Sequence, residues 1–150
     1  MSDQNLAKWR KLALNLEGEI NKVIVGQEKP IRLITNAIFS RGHVLLEGDV
    51  GVGKTTILKA FARSIGGGYE RIEGTIDLMP NDLIYHTYLG EDGKPRVSDG
   101  PVLKSGEDLS IFFFNEIKRA TPQVHSRLLR IMAERSLSAL NKEYKFPHLL

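Results

Sequence analysis

Gly48-Asp49-Val50-Gly51-Val52-Gly53-Lys54-Thr55, followed by a second threonine, Thr56, meets every constrained position of the pattern G-x-x-x-x-G-K-[ST]. That pattern builds a phosphate-binding loop. A chain of phosphates needs many donors and positive charge with no side chains in the way. Glycines at 48, 51 and 53 let the backbone curl so that successive N–H groups point inward at an anion. Lys54 is the residue to reach the β- and γ-phosphates, and the Thr55 hydroxyl is a ligand for Mg²⁺. A helix opening at the loop adds the attraction of its N-terminal dipole.

The flanks read as strand, loop and helix, the setting this motif requires. Residues 43–47, His-Val-Leu-Leu-Glu, read as a short buried strand running into the loop. Residues 56–65 read as a helix with Ile57, Leu58, Phe61 and Ile65 on one stripe, stopped by the triplet Gly66-Gly67-Gly68. Upstream, residues 3–23 read as an amphipathic helix with Leu6, Ala13, Leu16, Ile20 and Val23 at helical spacing. Trp9 either joins that stripe or lies on a partner surface, core packing being the reading preferred. A second helix is expected from Glu28 or Lys29, with Pro30 in its first turn, Ile31, Ile34 and Ile38 buried, and Arg41-Gly42 at its end.

Downstream, residues 69–72 are a candidate second strand, and 74–83 mix turn and helix signals. Residues 85–89 and 95–97 flank a hairpin turn at Asp92-Gly93. Gly100-Pro101 leads into a short helix. Thr121-Pro122 caps a helix carrying Val124, Leu128, Ile131 and Met132 on one face. Residues 136–140 and 143–146, joined at Asn141-Lys142, form a second hairpin.

Bulk properties bound the function. A chain of 150 residues suffices for one domain with a core, and 41% hydrophobic with 26% charged residues is ordinary for a soluble globular protein. The longest aliphatic or aromatic run, 111–114, is far too short to span a bilayer, and the N-terminus lacks the features of a signal peptide, so a cytoplasmic location is expected. The absence of cysteine excludes disulfides, thiolate metal sites and cysteine nucleophiles. The net charge of +3 is spread rather than clustered, which argues against nucleic acid as a partner. The four histidines lack metal-ligand spacing.

A phosphate loop needs a second element: a hydrophobic strand ending in acidic residues, one for the Mg²⁺ shell and one to polarise the attacking water. Ser110-Ile111-Phe112-Phe113-Phe114-Asn115-Glu116 has that form. Glu116 stands at the water-activating position. The metal-side position holds Asn115, whose amide accepts a hydrogen bond from a metal-bound water but brings no charge. Hydrolysis is therefore expected to be slower than with aspartate, and Mg²⁺ binding weaker, by about 1–3 kcal/mol.

With these residues in place the chain resembles the MoxR group of AAA+ ATPases. The resemblance starts at Val25-Gly26-Gln27-Glu28, runs through Gly42 and the phosphate loop, and takes in Thr75-Ile76-Asp77-Leu78-Met79-Pro80-Asn81-Asp82-Leu83. It continues through the hairpin at 85–97, which is similar to the family's helix-2 insert, and Asn115-Glu116-Ile117-Lys118-Arg119-Ala120, similar to the family's Asp-Glu-Ile-Asn-Arg-Ala. It implies an α/β fold, the three-layer αβα P-loop NTPase core with a parallel sheet. It places Val25 and Gly26 beside adenine, and Gly48 to Thr56 around ATP or ADP. It makes Thr55 and Asn115 the Mg²⁺ residues and Lys54 and Glu116 the catalytic ones.

The resemblance further implies a ring of like subunits, commonly a hexamer, that uses ATP to remodel partner proteins, often ones with von Willebrand factor A domains. Residues 1–24 would be an N-terminal helix and 25–150 a core with hairpins near 85–97 and 136–146. Two departures stand out. Asn115 and Lys118 replace an aspartate and an asparagine, and Leu150 falls where the family's fourth strand begins, before its sensor, arginine finger and helical lid. The expectation is a fragment or truncated copy whose loop strand and acidic strand lack the neighbour that joins them. The competing reading is a non-catalytic nucleotide-binding or interaction protein. A small-molecule P-loop kinase would need an arginine-rich lid, and a DNA-binding role rests on analogy alone.

Overall fold

The computed structural model describes residues 3–48 and 51–150. The chain divides into two compact units, Met1–Gly66 with Leu150, and Gly67–Leu149.

The first unit is helical. Helix α1 spans Asp3–Asn21, α2 Glu28–Phe39 and α3 Lys54–Ile65. Ile20, Ile31, Ile34, Ile57 and Phe61 are buried, as the apolar spacing requires. Helix α2 starts where expected, and Glu28 in its first turn complements the helix dipole. Thr35 is buried by turning its hydroxyl back to the Ile31 carbonyl, 2.9 Å away. Arg32 forks onto Glu17 at 3.1 Å, joining α2 to α1.

Several expectations fail here. Leu6 and Ile65, placed on the apolar stripes, are 48% and 37% exposed, and Ile38 is only half-buried. Helix α1 stops at Asn21, so Val23 lies beyond the stripe and is 71% exposed. Trp9 is not a core residue. Its ring stands edge-on to Phe39 at 5.9 Å and stays half open to solvent. Residues 43–48 form no strand. A strand exists through its ladder partners, and no described strand pairs with this segment, so Leu45 is 71% exposed rather than buried.

The second unit is mixed. Strand β1 (Gly68–Glu73) runs parallel to β4 (Leu109–Asn115), in a register that sets Tyr69 against Ile111 and Glu73 against Asn115. A parallel pair needs a long crossover. Here it contains the hairpin of β2 (Tyr85–Leu89) and β3 (Pro95–Asp99), followed by a short helix α4 (Pro101–Lys104). After β4 come helix α5 (Pro122–Glu134) and the hairpin of β5 (Ser136–Ala139) and β6 (Lys142–Lys145). Leu83, Ile84, Leu109, Val124, Ile131 and Phe146 centre the core of this unit.

Local chemistry accounts for the boundaries. Pro122 occupies the first turn of α5, where its missing N–H costs nothing, but the Thr121 side chain makes no capping bond. The second hairpin turns on Leu140-Asn141, both at positive φ, one residue before the expected Asn141-Lys142. The glycine triplet divides its labour. Gly66 ends α3 and Gly68 already belongs to β1. Gly67 lies so close to Ser110 that a Cβ there would overlap the serine side chain.

Candidate functional site

In the first unit, the loop ends as the motif demands. Gly51 and Gly53 have φ of 88° and 85°, left-handed conformations that an L side chain enters only at a cost. Gly53 is the residue from which α3 departs, and the Ile57 N–H closes the first helical turn on its carbonyl at 3.0 Å. The other N–H groups of that first turn have no intrahelical partner, and no acidic residue stands among them to repel an anion. The Lys54 ammonium donates to the Gly48 carbonyl at 2.6 Å, so the cation is folded back across the loop it belongs to. Thr55 is half-buried and Thr56 exposed. Asp49 and Val50, assigned to the same loop, lie outside the described residues. The Val25-Gly26 turn is open: Val25 is 88% exposed and Gly26 has φ 75°.

In the second unit, the polar end of β4 is built as a small network. Glu116 is the first residue after the strand and takes φ 49°, ψ 42°, a left-handed conformation uncommon for a residue with a Cβ. Arg119, one turn on, approaches its carboxylate at 3.4 Å. The backbone here is tightly held. The Gly74 N–H donates to the Asn115 carbonyl at 2.8 Å, and a Cβ on Gly74 would overlap the Glu116 carbonyl oxygen. A strained backbone conformation persists only when its surroundings over-determine it, and Gly74 supplies that constraint.

Asn115 does not stand alone. Its amide nitrogen donates to both oxygens of Glu73, at 2.8 and 2.9 Å, across the parallel pair. Arg71 donates to the same carboxylate at 2.8 Å while its guanidinium lies over the Phe113 ring, 5.7 Å from the centroid. The Asn115 amide first, and Arg71 after it, hold the Glu73 carboxyl below the usual carboxylate range. Sequence reasoning singled out Asn115 and Glu116 and passed over Glu73. The available signal was a charged residue ending the strand that pairs in parallel with the acidic one.

Among the described residues no group of three His, Cys, Asp or Glu side chains converges as a metal cage. Mg²⁺ rarely uses one. It keeps several waters and takes one or two protein oxygens together with substrate phosphates. A threonine hydroxyl in the first turn of α3 and, taken separately in the second unit, an amide oxygen at the end of β4 are each donors of the kind that fits the ion. No helix among the described residues is long and apolar enough to cross a membrane.

Comparison with known proteins places these features in context. Residues 43–150 match the model of the ATPase family associated with various cellular activities (AAA). The chain is 69% identical over 147 residues to Protein MoxR of Methylorubrum extorquens, covering 98% of this chain and 43% of that protein. It is 37% identical to Chaperone MoxR1 of Mycobacterium tuberculosis over 86% of this chain and 33% of that one. The crystal structure of a candidate ATPase from Cytophaga hutchinsonii superposes with a TM-score of 0.73 at 29% identity, over 97% of this chain and 46% of the other. The chain thus spans less than half the length of these relatives.

Proposed function

The chain belongs to the ATPase family associated with various cellular activities (AAA), as a MoxR-type member with the P-loop αβα core and its parallel strands, and from that premise we propose that it binds ATP and ADP and hydrolyses ATP slowly. The observation that carries this reading is the loop itself. Gly51 and Gly53 are left-handed, a dipole-bearing helix opens directly after them, and Lys54 is folded across the loop to Gly48. The loop amides grip the phosphates, Lys54 neutralises the β- and γ-oxygens, and the Thr55 hydroxyl is the metal-side donor. When bound, Mg²⁺ supplies charge neutralisation at the transferring phosphoryl group. Glu116 accepts the proton of the attacking water as the water oxygen bonds to the γ-phosphorus and the bond from that phosphorus to the β,γ-bridging oxygen breaks, releasing ADP. Asn115 contributes an amide oxygen where the family's pattern has an aspartate, and relative to a site built around that aspartate the step is slower by roughly five- to 150-fold, for a 1–3 kcal/mol loss. Val25 and Gly26 line the base.

Titration calorimetry on the folded chain tests the binding half. Heat is expected with ATP and ADP, and Lys54→Ala is expected to weaken affinity at least about tenfold, the scale of a charge-assisted contact. No heat, or an unaffected Lys54→Ala, refutes the reading. Glu116→Ala tests the chemistry. A turnover rate that falls to background supports hydrolysis by this chain. Equal rates in the two proteins leave the second reading, a non-catalytic nucleotide-binding or interaction protein, which the amide at position 115 favours.

By likeness to Chaperone MoxR1 and the AAA family, the work done with ATP is the remodelling or activation of partner proteins in the cytoplasm. Subunits arranged as a ring, commonly six, and clients with von Willebrand factor A domains would fit such a machine. Sedimentation with and without ATP tests the ring.

A further inference from the structure

We propose that Glu73 supplies, through Asn115, the negative charge that the metal side of the nucleotide site otherwise lacks. Glu73 is a positioning residue, and this inference rests on the nucleotide-binding reading above.

A carboxylate only accepts hydrogen bonds, so whichever end of the Asn115 amide faces Glu73 must be the NH₂ end. The observed geometry agrees: both side-chain hydrogen bonds leave from Nδ2, at 2.8 and 2.9 Å, one to each oxygen. The partner thereby decides the amide orientation, which position 115 could not fix by itself. Oδ1 is turned away from Glu73 and is the atom left to accept from a metal-bound water. The pull of a full negative charge on the NH₂ group also increases the electron density at Oδ1, since bonds in a chain polarise one another. One asparagine and one glutamate in this arrangement carry the same net charge as a single aspartate, displaced by one hydrogen bond.

The surroundings keep the pair in register. The ladder sets Glu73 directly against Asn115, and the next residue, Gly74, is bonded to the Asn115 carbonyl and packed on the Glu116 carbonyl. Arg71 donates to the Glu73 carboxylate and shares its Oε2 with the Asn115 amide. This network also makes a sharp statement about the obvious repair. Asn115→Asp would set two carboxylates face to face with no proton between them. Like charges that close disfavour ionisation of one of them, so the single substitution should harm the site. Exchanging both residues, Glu73→Gln with Asn115→Asp, restores one donor, one acceptor and one charge.

The test is the Mg²⁺ dependence of nucleotide affinity in the 150-residue chain, measured with a fluorescent ADP analogue and with ATP, with and without Mg²⁺, alongside circular dichroism for folding. Glu73→Gln is expected to leave metal-free affinity unchanged and to cut the gain in affinity from Mg²⁺ by about tenfold, the scale of one hydrogen bond to a charged group. Asn115→Asp is expected to be no better than native, and Glu73→Gln/Asn115→Asp to recover the native Mg²⁺ response or exceed it. A Mg²⁺ response that ignores Glu73→Gln, or a double variant no better than the singles, overturns the inference while nucleotide binding stands. A native chain that binds no nucleotide in either condition sinks the parent reading and this one with it.

Discussion

The phosphate loop of the first unit and the end of β4 in the second are made by opposite means. Residues 43–48, which lead into the loop, have no ladder partner among the described strands. The described part of the loop is shaped by the handedness of single residues, Gly51 and Gly53, and by one lysine folded back on Gly48. The end of β4 is set by neighbours. A parallel register, a glycine with no room for a methyl group, and a chain of charged hydrogen bonds through Arg71, Glu73 and Asn115 fix where Glu116 points. Backbone dihedrals at single glycines can shape a binding loop, because an anion is recognised by amide groups that every residue carries. Directing a particular side chain takes long-range packing.

If that contrast is right, substitutions should fail for different reasons on the two sides. Gly74→Ala should be the most damaging, at about 2–3 kcal/mol, because its methyl group must displace the Glu116 backbone carbonyl rather than a mobile side chain. A urea midpoint within error of the native one would show that the end of β4 is looser than described. Gly53→Ala should cost less, about 1–2 kcal/mol, since it meets no atom and pays only for its left-handed φ of 85°. A cost equal to that of Gly74→Ala would erase the distinction.

A subtler probe is the titration of Glu73. Its carboxyl is held below the ordinary value in the folded chain, so it contributes stability that is present above the unfolded value and lost as pH falls through the depressed one. Asn115→Ala should move the Glu73 titration, followed by carboxyl NMR, upward, and should flatten the loss of stability in acid. An unmoved titration would mean that Arg71 alone holds the charge. Smallest of all, Leu45→Ser should change stability by no more than about 0.5 kcal/mol, because that side chain is 71% exposed. A large loss would show that the segment before the loop packs after all.

The same contrast explains what could be read from the sequence. Local signals were reliable where the cause is local. Pro30 and Glu28 marked the start of α2, Asp92-Gly93 marked the first hairpin, and the loop motif announced α3. The segment 43–47 misled because alternating burial needs a strand on each side, and periodicity alone does not say whether they are there. The second turn slipped by one residue because Leu140, an improbable residue for positive φ, takes the place expected of a better turn former. Glu73 escaped because its importance comes from a residue 42 positions away that becomes its neighbour only through the register of β1 on β4.

Trp9 against Phe39 has a practical consequence. The chain has one tryptophan, in the helical unit, while its four tyrosines, Tyr69, Tyr85, Tyr88 and Tyr144, all fall in the other unit. Indole emission excited on the red edge of its band therefore watches α1 leave α2, and tyrosine absorbance watches the β-containing half. The molecule carries its own two-colour label, and a melt followed at both wavelengths shows whether the halves come apart together or in turn.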